Sequence, residues 1–154
     1  FPAQANLQKE WCTPNESELT DLLQNLVRLD YDAIDAYDAA IERLEDTKAQ
    51  EMLRAFRKDH ERHIADLTPH ITGLGAEVPA GSGPKHLLTE GKVKVAALAG
   101  DSAILTAMAT NEVETESAYR SASERDDVDG ELAEKLRAGM ADEARHKEWM
   151  KERA

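Results

Sequence analysis

Apolar residues recur along this chain at alternating spacings of three and four, which is the pattern of an amphipathic helix that faces a protein core. Four segments carry the pattern, covering residues 19–44, 53–67, 105–122 and 132–150. Residues 1–13 show no such periodicity. The sequence therefore predicts an N-terminal tail over residues 1–13 and an all-helical domain over residues 14–154.

Polar residues interrupt each apolar stripe partway along its length, where burial would ordinarily favour leucine. The interrupting residues are Asp30, His60, His63, Glu112, Glu143 and His146. An unpaired carboxylate in a protein core is costly, so these groups would need a shared counter-charge if they converged at one level. A cluster of metal ions bound by all of these side chains is the simplest counter-charge. A buried hydrogen-bonded network without metal is the alternative that the pattern leaves open.

Helix-capping residues and prolines predict where the first two helices begin and end. The first helix should begin at Pro14, with Thr13 as its N-cap, and run to about Asp46. Thr47 is the predicted N-cap of the second helix. Pro69 lies inside the pattern of the second helix and is expected to kink or end it.

The connections predict the topology. Asp101 is the expected N-cap of the third helix, which should end near residues 125–126, and Asp127 or Asp129 opens the fourth. Short links make helices 1 and 2, and helices 3 and 4, into antiparallel hairpins. The long crossover, at about residues 75–100, can return along the bundle. The prediction is an antiparallel four-helix bundle of ferritin-like topology.

The two predicted hairpins are near-copies of each other. Residues 37–43 (YDAAIER) match residues 119–125 (YRSASER) at both ends, and residues 58–63 (KDHERH) resemble residues 141–146 (ADEARH). This repeat is consistent with a pseudo-two-fold axis that passes through the interrupting polar positions.

The spacing of the polar residues favours metal ligation. Glu143 and His146 lie three residues apart, so both project from one helix face at one depth. Helices 1 and 3 each add a carboxylate, and a tyrosine follows each carboxylate by seven residues, at Tyr37 and Tyr119. A phenol there can hydrogen-bond a ligand carboxylate and orient it. The alternative is that both tyrosines are ordinary core residues.

These features resemble the ferritin-like di-iron carboxylate family, most closely its bacterioferritin and rubrerythrin type. The family has a carboxylate seven residues before a tyrosine on helices 1 and 3, Glu-x-x-His on helices 2 and 4, and a long crossover. This chain matches each feature except the glutamate on helix 2. The resemblance implies two irons and oxidation of ferrous iron with dioxygen or peroxide. The residues at matching ligand positions are Asp30, His63, Glu112, Glu143 and His146.

The chain departs from that family at two positions. His60 stands where the family has a glutamate that bridges the metals, and Asp30 is one methylene shorter than the usual glutamate. A neutral imidazole binds one metal, so we expect a less tightly coupled pair. Three carboxylates against two divalent cations leave a charge near +1. The added imidazole shifts the metal preference from two irons toward zinc, copper or a single iron, and manganese also stays open.

Composition limits the partners. The 154 residues carry a formal net charge of -12, which disfavours nucleic acid and an anionic membrane surface and draws cations. No apolar run approaches the roughly 18 residues that span a bilayer. A single cysteine, Cys12, leaves the compartment open, with the cytoplasm slightly favoured and export an alternative. A flanking apolar stripe at Val27, Ile34 and Ile41 could pack the crossover or a second subunit in a homodimer.

The predicted function is therefore metal binding with ferroxidase or peroxide-linked oxidoreductase chemistry, as in an iron-handling or stress-response protein. His63 and His146 would anchor one metal each, and Glu143 would bridge or chelate. Asp30 and Glu112 would be terminal ligands, with His60 as an added nitrogen ligand. Two alternatives remain: a non-enzymatic module that binds zinc or a single iron, and a metal-free helical interaction domain.

Overall fold

The computed structural model of the chain describes residues 14–81, 95 and 97–154. The predicted tail, which includes Cys12 and Thr13, lies outside these residues, and so does His86 of the predicted crossover. Within the described ranges 14–81 and 97–154, four helices form, as the stripes predicted: α1 Pro14–Arg43, α2 Thr47–Gly73, α3 Asp101–Ser123 and α4 Gly130–Arg153.

The turn between α1 and α2 is longer than the sequence suggested and spans residues 44–46. Asp46, not Thr47, is the N-cap of α2, and its carboxylate accepts the backbone N–H groups of Lys48 and Ala49 at 3.3 Å each. An aspartate at this position satisfies donors that have no partner within the helix. Helix α1 therefore ends at Arg43, before the cap.

Pro69 does not end α2, which continues to Gly73. A proline inside a helix removes one backbone hydrogen bond and crowds the preceding turn. Here it lies only one turn from the helix end, and the buried side chains of Leu67 and Ile71 hold that turn against the core. The packing outweighs the local preference of the proline.

Asp101 is the first residue of α3 and not its N-cap, which is Gly100 with φ 91°. The carboxylate of Asp101 instead accepts the backbone N–H groups of Glu45 and Asp46, at 2.9 Å each. This contact fastens the α1–α2 turn to the start of α3. At the other hairpin, Asp129 is the N-cap of α4, as one of the two predicted positions.

Each helix packs against two others: α1 against α2 and α3, and α4 against α2 and α3. The result is an antiparallel four-helix bundle of ferritin-like topology, in which two hairpins are joined by a long crossover. Val95 of the crossover is buried, as are Val27 and Ile34 of the flanking stripe. Among the described residues, no helix is long and apolar enough to cross a membrane.

Two apolar clusters fill the bundle, one toward each end. The cluster near the α1–α2 turn includes Leu53, Phe56 and Met108, and the cluster near the α3–α4 turn includes Leu23 and Leu136. A buried polar layer lies between them. This arrangement places the interrupting residues at mid-bundle, with apolar side chains above and below.

Candidate metal centre

All six interrupting residues meet in the polar layer. Each is at least 97% buried, and together they come from all four helices: Asp30, His60, His63, Glu112, Glu143 and His146. Burial of six ionisable side chains at one level follows from helix geometry, because each occupies a core-facing position of its own stripe.

The six residues form two overlapping groups, in each of which one ligand atom per residue lies within 4.8 Å of the others. The first group comprises Asp30, His60, His63 and Glu143, and the second comprises His60, Glu112, Glu143 and His146. His60 and Glu143 belong to both groups. They are equivalent positions of the internal repeat, one on α2 and one on α4.

The two shared residues face both groups with different atoms. The two ring nitrogens of His60 point apart: Nδ1 lies 2.8 Å from Asp30 Oδ1, and Nε2 lies 3.4 Å from Glu112 Oε1. Glu143 divides likewise, with Oε1 at 3.4 Å from His63 Nδ1 and Oε2 at 3.9 Å from His146 Nδ1.

The two tyrosines orient the carboxylates, but each acts on the opposite helix. Tyr119 of α3 donates to Asp30 Oδ2 of α1 at 2.6 Å, and Tyr37 of α1 donates to Glu112 Oε1 of α3. The crossing arises because α1 and α3 run antiparallel, so a residue seven positions after one carboxylate lies level with the other.

Two aspartates outside the layer hold the outer ring nitrogens of the histidines. Asp142 Oδ2 lies 2.9 Å from His63 Nε2, and Asp59 Oδ2 lies 2.7 Å from His146 Nε2. A histidine whose Nε2–H donates to a carboxylate presents the lone pair of Nδ1 on its other side. Both Nδ1 atoms consequently face the polar layer.

Arginines complete this outer shell. Arg145 lies 2.8 Å from Asp59 and 3.2 Å from Asp142, and Arg62 lies 3.0 Å from Asp59 and also contacts Asp142. The two aspartates are mostly buried, at 16% and 18% side-chain exposure, while the arginines are about half exposed. The two arginines balance the charge of the two aspartates.

Electrostatic coupling in the polar layer is strong. Burial would lower the pKa of His60, but the carboxylates of Glu112 and Asp30 raise it to about 10. Burial would raise the pKa of Glu112, but His60 and His146 lower it to about 2. Without metal, His60 is therefore an imidazolium that partly compensates the surrounding carboxylates.

Several nitrogen and oxygen atoms of the polar layer are left without hydrogen bonds and are available to a metal ion. Among the described residues, several buried atoms of the layer have no hydrogen-bond partner: His60 Nε2, Glu112 Oε2, both carboxylate oxygens of Glu143, and His146 Nδ1. Buried polar atoms are ordinarily partnered. Nitrogen and carboxylate donors of this kind match iron, manganese and zinc.

Sequence reasoning missed part of this site. Neither Asp59 nor Asp142 was among the candidate ligands. The signal was present, because each aspartate directly precedes a shared residue, His60 or Glu143, in the two copies of the repeat. His70, in the last turn of α2, lies outside both groups.

Gly139 was also overlooked as a supporting position. A Cβ atom at Gly139 would lie 2.5 Å from Cε1 and 2.7 Å from Cδ1 of Tyr119. The glycine therefore leaves the space that the Tyr119 ring fills when its hydroxyl reaches Asp30.

Fold and site together define a ferritin-like four-helix bundle with a buried layer of histidines and carboxylates. Residues 18–125 match the model of a family described as a domain of unknown function (DUF2383), and the chain belongs to that family. No curated protein matches the chain.

A solved structure shares the fold. It is the crystal structure of a ferritin like, diiron-carboxylate protein from Bacillus anthracis str. Ames, with a TM-score of 0.73. The match covers 91% of this chain and 97% of the other, at 18% sequence identity. The prediction of a ferritin-like bundle is thereby confirmed.

Proposed function

We propose that this protein binds two metal ions in the polar layer, iron foremost, and oxidises ferrous iron with dioxygen or peroxide. The observation that supports the proposal is the pair of overlapping four-residue groups that share His60 and Glu143. The structural neighbour from Bacillus anthracis, a ferritin like, diiron-carboxylate protein, points the same way.

In this proposal each metal has its own histidine and its own terminal carboxylate. His63 serves the first group with Asp30, and His146 serves the second with Glu112. Both histidines would bind through Nδ1, because Asp142 and Asp59 hold their Nε2 atoms. Glu143, with one carboxylate oxygen toward each histidine, would join the two positions.

The remaining parts of the chain prepare the ligands. The phenols of Tyr119 and Tyr37 fix the terminal carboxylates, so these need not reorganise when a cation arrives. Bound iron would supply the one-electron exchange and the Lewis acidity that oxygen chemistry requires. The apolar clusters on both sides keep bulk water from the layer, which strengthens every charge interaction inside it.

A non-enzymatic metal-binding module is the second candidate. The observation in its favour is that three of the six candidate ligands are histidines. A carboxylate at the position of His60 would favour two irons, whereas the imidazole favours zinc or a single iron. Such a module would hold zinc or a single iron without turnover.

A metal-free interaction domain is the third candidate, and it has its own supporting contact. Protonated His60 can pair with both Asp30 and Glu112 in the absence of any cation. The layer would then be a buried ion-pair network, of the kind that fixes how helices align.

Metal analysis and oxygen consumption together separate the candidates. The purified protein is stripped with chelator and separate samples are loaded with ferrous iron without oxygen, with manganese or with zinc. Each sample is assayed for bound metal, and the iron-loaded sample is then assayed for oxygen or peroxide consumption. The proposal expects up to two irons per chain and consumption above the buffer rate. Bound metal without consumption would favour the module, and no bound iron, manganese or zinc would favour the metal-free domain.

The matched variants for this assay are Glu143→Ala and His70→Ala. Glu143 belongs to both groups, whereas His70 lies on the same helix as His60 but outside both. Loss of iron binding in both variants alike would place the binding site outside the polar layer.

A further inference from the structure

His60 differs from the other two histidines of the layer in what surrounds its ring. The inner nitrogens of His63 and His146 face the layer, and their outer nitrogens face Asp142 and Asp59. Both nitrogens of His60 face prospective metal ligands instead, Asp30 on one side and Glu112 on the other. No outer carboxylate or carbonyl is hydrogen-bonded to this ring among the described residues.

We propose that His60 bridges the two metal ions as an imidazolate, one metal on each ring nitrogen. The inference rests on the proposed binding of two metals. The sequence analysis expected His60 to bind a single metal. That expectation holds for a neutral imidazole, which keeps one ring proton, and not for an imidazolate.

Geometry is the first argument. Nδ1 of His60 lies 2.8 Å from Asp30 Oδ1 and 3.5 Å from Glu143 Oε1, which places it among the ligands of the first group. Nε2 lies 3.4 Å from Glu112 Oε1, a ligand of the second group, and has no hydrogen-bond partner among the described residues. The ring therefore spans the two groups in the same sense as Glu143.

The position of the ring is fixed by its neighbours. The ring of His60 is fully buried, with the ring of Tyr37 at 5.3 Å and those of His63 and His146 at 5.5 Å, centroid to centroid. A side chain so enclosed cannot turn one nitrogen toward solvent. Whatever binds in the two groups must meet both nitrogens.

Charge balance is the second argument. Two divalent cations against the carboxylates of Asp30, Glu112 and Glu143 leave one net positive charge in a fully buried layer. The outer aspartates cannot compensate it, because Arg62 and Arg145 already balance them. An uncompensated buried charge is costly. An imidazolate supplies one negative charge and makes the layer neutral.

The proton balance is simple. Each metal replaces one proton on the His60 ring, and both protons leave to water. No oxidant or reductant takes part. Metal binding and proton release are coupled in this way wherever ligands must lose protons.

Nitrogen-15 NMR of the zinc-loaded full chain tests the bridge directly, with zinc ions alone as the probe. The chain has 5 histidines, and long-range nitrogen–proton correlations report the state of each ring nitrogen. With two zinc ions bound, His63 and His146 should each keep one N–H, and His60 should keep none. Both nitrogens of His60 should show the shift of a metal-bound nitrogen.

The His60 signals are assigned by their absence in His60→Gln, or by triple-resonance assignment of the parent chain if that variant does not fold. Elemental analysis of the same sample separates the two proposals. Two bound zinc ions with one N–H remaining on His60 would overturn the bridge while the metal centre stands. A chain that binds neither zinc nor iron would overturn the metal centre itself.

Discussion

Single residues in the polar layer work through partners on other helices. Asp30 is held by Tyr119, and His63 is held by Asp142, so a ligand on one hairpin depends on a side chain of the other. Removal of one member would leave a buried group unpaired, and such a loss costs more than the contact itself contributes. The ligands are therefore best tested one at a time.

Glu143→Ala and His146→Ala are expected to abolish metal binding, whereas His70→Ala leaves it intact. Glu143 is shared by both groups and His146 belongs to the second, while His70 lies outside the layer. Isothermal titration with ferrous iron or zinc under anaerobic conditions measures the effect. Unchanged affinity in the Glu143 variant would contradict the ligand assignment.

His60→Glu is expected to raise the rate of ferrous iron oxidation above that of the parent chain. A carboxylate carries the same single charge as a bridging imidazolate. Its two oxygens can direct lone pairs nearly parallel, whereas the two ring nitrogens direct theirs apart, so the carboxylate would draw the two cations together and favour a diferric product. Stopped-flow absorbance of ferric iron formation measures the rate. Weaker iron binding together with slower oxidation would show that the imidazole is an adapted ligand and not a weakened form of a carboxylate site.

At the scale of helices, tertiary packing overrode the local preferences of a helix-breaking residue and of a capping residue. Pro69 was expected to kink or end α2, yet the helix continues to Gly73, with the buried residues on either side packed against the core. Asp101 should have capped α3, yet its carboxylate instead fastens the turn before α2. Both outcomes depend on contacts between different helices, and these contacts cannot be inferred from a short stretch of sequence.

Gly139→Ala is expected to lower the free energy of unfolding by about 1–3 kcal/mol, although alanine favours helix more than glycine does. The new Cβ would lie 2.5 Å from the Tyr119 ring, which must move away from Asp30. Metal affinity should also fall, because Asp30 would lose the hydrogen bond from Tyr119.

Gly73→Ala is the matched control for this change, because it lies at the last position of α2 with no atom within 4 Å of the added Cβ. It should leave stability unchanged or raise it by about 0.4–1 kcal/mol. Chemical denaturation of all three proteins decides the point. Equal stabilisation by the two alanines would mean that the Tyr119 ring is free to shift.

At the scale of the whole molecule, the polar layer is a cost to folding that a ligand can offset. Three carboxylates lie buried between two apolar clusters, in a chain with a formal net charge of -12. The hydrogen bonds and the imidazolium of His60 compensate only part of that charge. The bundle should therefore respond strongly to cations and to pH.

Saturating metal is expected to stabilise the fold. At 100 times the dissociation constant, a ligand that binds only the native state adds about 2.7 kcal/mol, or about 5–10 °C in Tm for a chain of this size. Thermal denaturation of chelator-treated and metal-loaded protein measures the shift. No change with iron, manganese or zinc would contradict a metal site in the layer.

The metal-free protein is expected to lose stability as the pH rises from about 6.5 toward 10. The pKa of His60 is raised from 6.5 in the unfolded chain to about 10 in the fold, so its contribution is fully present below 6.5 and lost through 10. Each 1 kcal/mol lost should lower Tm by about 2–4 °C. Melting curves of the parent and of His60→Gln, without metal, test this. The decline should be smaller in the variant, where the raised pKa of His63 beside Asp142 and Asp30 still contributes.

The sequence by itself determined the four helices, their pairing into hairpins and the six residues of the polar layer. Hydrophobic periodicity is a local property of the helix, and a residue on the core-facing stripe is buried wherever the helix packs. The internal repeat also contained the aspartates that contact the histidines from outside the layer, as Asp59 before His60 and as Asp142 before Glu143.

Only the tertiary structure decided which atoms meet. The crossing of Tyr37 to Glu112 and of Tyr119 to Asp30 depends on how α1 and α3 align, and so does the space that Gly139 leaves. The two directions of the His60 ring depend on all four helices at once. Such offsets between packed helices are set by the interlocking of side chains across the whole core, which is a property of the assembled bundle and not of any one segment.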